Sequence, residues 1–164
     1  MGIDEEILAA LRAAVANGQL ATDPKQGRVW QLSLQRVLGG QVADHTSYGL
    51  RAYQFDCPLP IPDGTPWRST LRVLLSNAGP FVTHTVVRSF GQVRWWAGAI
   101  QVSRIGFTSV DTEALEKLRA WYGANELTEV DPEVQAMLVP ADIPLRRPRG
   151  GGELTLFGAL FKAG

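Results

Sequence analysis

One cysteine in 164 residues, Cys57, closes no disulfide within the chain, so an oxidising compartment offers the fold nothing. Histidine is nearly as scarce: His45 and His84 lie far apart in the chain. A dedicated zinc site takes typically three or four His, Cys or carboxylate ligands, so this supply predicts neither a metal nor another cofactor. The chain has no Gly-x-Ser-x-Gly elbow, and Gly150-Gly151-Gly152 lacks the Lys and Ser/Thr that end a phosphate-binding loop. No apolar run approaches the roughly 18 residues that cross a bilayer. Met1-Gly2-Ile3-Asp4-Glu5-Glu6 has acids where a signal peptide has bases, and Glu6 stands where myristoylation wants Ser or Thr. These absences predict a cytoplasmic, membrane-free protein.

What is present is a sorted charge. Between Arg28 and Arg104 eight arginines face three carboxylates (Asp44, Asp56, Asp63), a surplus of about five positive charges. Between Asp111 and Glu133 seven carboxylates face Lys117 and Arg119, a surplus of about five negative ones, within a chain of zero formal net charge. Such fields steer association with charged partners if they face solvent. They cancel if the two stretches meet across a sheet and its covering helix. The neutral total speaks against a dedicated nucleic-acid binder.

Length predicts a single domain over 1–164, and 45% hydrophobic with 20% charged residues is the balance of a globular protein. Ile7, Leu8, Leu11 and Val15 recur at helical spacing over 3–17, with acids first and Asn17-Gly18 as the stop. Alternation predicts strands over 29–37 and 48–57, followed by a proline-rich connection. Strands are also expected over 70–75, 81–90 and 93–107, with Gly91-Gln92 as a tight turn and Gly98 as a bulge. A capped helix over 111–122, a short helix after Asp131-Pro132 and a last strand over 154–161 complete the order. Segregated helices and strands predict an α+β fold: a mainly antiparallel sheet of about five to six strands, covered by the N-terminal helix and a helix at 111–123.

Three groups of side chains could carry function. The acids Glu113, Glu116, Glu126, Glu129, Asp131 and Glu133 would meet a basic partner. Arg88, Arg94, Trp96 and Arg104 have the composition of an interface hot spot or a single-strand nucleic-acid platform on a sheet face. Tyr53, Phe55, His84 and Trp96 would line a pocket between sheet and helices, and a carboxylate among apolar residues, Asp56, would be its acid or base beside His84. Each has a plainer reading: solvated helix acids, rings packed under helices, and a core histidine. Cys57 at a strand end reads as a small buried hydrophobe.

The closing Val139-Pro140-Ala141-Asp142-Ile143-Pro144 and Leu154-Thr155-Leu156-Phe157-Gly158-Ala159-Leu160-Phe161 form a proline-bounded segment and a terminal apolar stretch around a polar loop. In this the chain resembles the small immunity proteins that bacteria carry beside polymorphic or contact-dependent toxins. The resemblance implies a non-enzymatic inhibitor that occludes the active site of a basic toxin such as a nuclease, contributing no catalytic residue. The alternative is a small-molecule-binding or enzymatic α+β domain.

Overall fold

Asp23-Pro24 starts a helix. Asp23 accepts a hydrogen bond from the Gln26 backbone at 3.1 Å, Pro24 takes the first helical turn, and Gly39 ends the helix in the left-handed region at φ 71°. A computed structural model of the chain describes residues 2–61, 67–93, 96–102, 107–148 and 150–162. In it α1 spans Ile3–Asn17 and α2 Pro24–Leu38. The strands are β1 (Ala43–Asp44), β2 (Ala52–Pro58), β3 (Trp67–Ser76), β4 (Phe81–Val93) and β5 (Trp96–Val102). Then come α3 (Ser109–Ala124), β6 (Thr128–Glu129), α4 (Pro132–Gln135) and α5 (Leu156–Phe161).

Strands β1 to β5 follow one another in antiparallel order, and β6 adds to β4 in parallel, so the fold is α+β as expected. Two expected strands are helices. Over 29–37 the alternating residues also satisfy helical spacing: Trp30 and Leu34 turn inward while Val29 and Leu32 stay exposed. The expected strand over 154–161 is α5, which Thr155 caps by accepting from Gly158 N at 3.1 Å. Gly91-Gln92 is not a turn. It lies within β4, where the register to β5 slips by one residue between Phe90 and Val93, so the extra residue sits on β4 rather than at Gly98.

The register sorts the sheet into two faces. Tyr53, Leu75 and Val82 are cross-strand neighbours, as are Phe55, Val73 and His84, and Cys57, Leu71 and Val86. This face packs against Leu34 of α2 and Leu115, Leu118, Trp121 and Tyr122 of α3. Trp121 Nε1 donates to Ser33 at 2.9 Å and its ring meets Trp30 edge-on, joining the two helices. On the other face, a second core gathers Ile7 and Leu11 of α1, Phe81, Ile143 and the buried side of α5, with Ala52 and Leu74 partly buried against it. The N-terminal helix therefore covers one end of the sheet, away from α3. Among the described residues no helix is long and apolar enough to cross a membrane.

Candidate functional site

One edge of β4 carries parallel β6 at Phe81 and Val82 and antiparallel β5 from Val86 to Val93. Beside this edge Thr83, His84 and Thr85 border a cavity of about 970 Å³ whose lining residues come from both faces of the sheet. Its walls include Arg72, Glu116, Arg119, Glu129 and Gln135, with Phe107, Phe157 and Phe161 as apolar surface. Gln135 ties α4 to β4, donating to Thr83 Oγ1 at 2.9 Å and to the Val130 carbonyl at 2.6 Å. The volume lies within the range of small-molecule sites, and the lining mixes apolar rings with charges of both signs.

His84 is the buried titratable group of this cavity. Its Nδ1 lies 2.8 Å from the Tyr122 hydroxyl and 3.8 Å from Glu129, which also pairs with Arg119 at 3.5 Å. Burial lowers the affinity of the ring for a proton, outweighing the attraction of Glu129 and reinforced by Arg119. The unfolded chain then binds this proton more readily than the folded protein does. Stability from His84 is retained above the usual histidine value of 6.5 and is lost as the pH falls below it. His84→Gln removes the titration, so urea midpoints measured from pH 7.5 to 5 should fall less steeply in the variant than in wild type. Equal slopes would remove His84 from the acid response.

A second cluster lies on the open face beside the cavity. Asp56, Arg72 and Thr85 are cross-strand neighbours, and Asp56 accepts from Arg72 Nε at 2.9 Å and Nη2 at 3.1 Å. His45 Nδ1 closes on the same carboxylate at 2.9 Å, with the ring 54% exposed against 10% for Asp56. Burial opposes the charge on Asp56, yet Arg72 and His45 prevail and hold the carboxyl below its ordinary range. A carboxylate that orients an exposed imidazole is the geometry of a general base, here with no nucleophile positioned beside it among the described residues.

The structure brings together fewer of the predicted residues than the sequence groups. Asp56 and His84 lie on opposite faces, so they form no pair; the histidine of Asp56 is His45. Tyr53 and Phe55 are sealed in the core rather than lining the cavity. Arg88 lies under α3, where Asp111 accepts from it at 2.6 Å, and is not displayed on an open sheet. Arg94, Arg104 and the side chain of Trp96 lie outside the described residues. Burial pushes the Cys57 thiol up to about 12, which keeps it protonated.

The acids divide in the same way. Glu113 pairs with Lys117 at 3.5 Å, and Glu129 turns toward His84 and Arg119. Glu116, Glu126, Asp131 and Glu133 are exposed and make no ion pair among the described residues. No signal in the sequence marked the cavity, because its walls come from β3, β4, α3, α4 and α5, which are distant along the chain. His45 was visible, but its neighbour Asp44 serves Tyr48 and Thr46 instead. Among the described residues no group of three or more His, Cys, Asp or Glu could hold a metal ion. No family model, no curated protein and no solved structure matches the chain.

Proposed function

We propose that this chain is a protein-binding domain of the immunity type, which neutralises a basic toxin by covering its active site with the α3–β6–α4 face. The supporting observation is that Glu116 on α3, Glu126 and Asp131 in the turns on either side of β6, and Glu133 on α4 stand exposed and make no ion pair among the described residues, with Glu116 in the wall of the cavity. The two oppositely charged stretches meet at Arg88 and Asp111, but they do not consume these four acids. An acidic surface accelerates encounter with a basic groove, and a few anchoring side chains supply the affinity. The cavity would receive one such anchor, a lysine or arginine of the partner, between Glu116 and Glu129.

The first experiment is capture of the partner on the purified protein from lysate of its own source, followed by association kinetics. Reversing Glu116, Asp131 and Glu133 together to lysine should slow association about tenfold or more at low salt, flatten its salt dependence and leave dissociation nearly unchanged. An unchanged association rate would remove the acidic face from the reading.

A second reading rests on the cavity itself. Its volume and mixed walls suit a small polar ligand with an apolar part. Thermal-shift screening separates the two: a saturable small-molecule response lost in Arg119→Ala favours the ligand, whereas a stoichiometric protein partner lost at high salt favours the inhibitor.

A further inference from the structure

Arg51 immediately precedes β2, and it is buried to 9% exposure. Its Nη1 has no hydrogen-bond partner, and no carboxylate is paired with it among the described residues. The segment around it is fixed by backbone bonds: Thr22 N to the Leu50 carbonyl at 2.7 Å, Gly49 N to the Thr22 carbonyl at 3.3 Å, and Asn77 N to the Arg51 carbonyl at 2.8 Å. The Thr22 hydroxyl is also buried and unpaired. Arg51 lines a surface pocket of about 390 Å³ that is separate from the cavity at the β4 edge. Val15, Leu20, Leu50 and Pro144 supply apolar walls, and Arg146, exposed and without an ion pair among the described residues, stands at the same pocket.

A guanidinium does not escape burial by losing its proton, so it stays charged at the expense of its hydration. Proteins offset that loss with a carboxylate, and among the described residues none lines this pocket. The fork of an arginine matches the two oxygens of a carboxylate or a phosphate, and a second arginine adds charge without competing for the same oxygens.

We propose that this pocket binds a small ligand through an oxyanion group, a carboxylate or a phosphate, held by Arg51 from within and Arg146 from the rim. The apolar walls take the remainder of the ligand, which is short. The site lies apart from the α3–β6–α4 face and does not depend on the partner proposed there.

Melting is followed with inorganic phosphate and, separately, with propionate, each against sodium chloride at matched ionic strength. Wild type should show a saturable rise in Tm with one of the two probes, about 4 °C at ten times the dissociation constant. Which probe acts names the class of oxyanion. R51M should lose the saturable rise while melting in chloride at or above wild type, because an unpaired buried charge has gone. R146Q should melt in chloride as wild type does and bind several-fold more weakly; it decides the matter if R51M fails to fold. A rise of equal size in R51M or R146Q, or no rise in wild type above the chloride control, overturns the site.

Discussion

Asp111→Ala is expected to lower the unfolding free energy by about 4 kcal/mol, because one carboxylate performs two buried tasks. Asp111 is 1% exposed. It closes a capping box at the start of α3: Thr108 N donates to its carboxylate at 2.8 Å, and its own backbone N–H donates to Thr108 Oγ1 at 3.2 Å. The same Oδ2 accepts from Arg88 at 2.6 Å. Loss of the cap alone costs about 1 kcal/mol, and leaving the largely buried Arg88 guanidinium short of its carboxylate costs about 3 kcal/mol more. Arg88 keeps Ser69 and the face of Trp67, 5.3 Å away, so the variant should still fold. Urea denaturation of Asp111→Ala, Arg88→Met and the double variant closes the cycle. The double variant should be clearly more stable than the sum of the single losses predicts. Strict additivity would show that the pair contributes little and that the cap accounts for the effect. The consequence reaches the cavity, because α3 carries Glu116, Arg119 and Tyr122 to its wall.

Where local pattern and tertiary contact agreed, the chain was legible. The N-terminal helix runs Ile3–Asn17 with Gly18 left-handed at φ 64°, as its acids, apolar stripe and Asn-Gly stop require. The strands of the central sheet follow their Val, Thr and aromatic content. The failures share one physical cause. In Val29 to Val37 and Leu154 to Phe161 short apolar sets fit period 2 and period 3.6 alike, and the caps at Asp23 and Thr155 decide between them. Within β2 the face on which a residue lies was readable from alternation, which placed Tyr53, Phe55 and Cys57 in the core and Asp56 opposite them. The partners of those residues were not readable. His45 reaches Asp56 only because two-residue β1 pairs Ala43 with Asp56, and the cavity is walled jointly by β3, β4, α3, α4 and α5. Such facts depend on how distant elements come together, which no local spacing records.

Leu160→Ala is expected to cost about 3 kcal/mol, the second large effect, and to act on the cavity from behind. A six-residue helix such as α5 does not hold its own shape in water, so packing must fix it. Leu160 is fully buried in the core that contains Ile7 and Leu11 of α1, Phe81 of β4 and Ile143. Truncation removes a side chain from the centre of that cluster and leaves a void that this rigid surround fills only in part. Phe157 and Phe161, on the same short helix, form the apolar wall of the cavity. Hydrogen exchange of the α5 amides should therefore quicken in Leu160→Ala more than that of β2 and β3, whose Phe55, Leu71 and Val73 are buried in the other core. Leu138→Ala is the control: this side chain is 52% exposed, and its removal should change stability by no more than about 0.5 kcal/mol. Uniform acceleration across both cores would mean that the two apolar clusters unfold as one unit. Acceleration confined to α1 and α5 would mean that the cavity wall can open while the sheet beneath α3 stays closed.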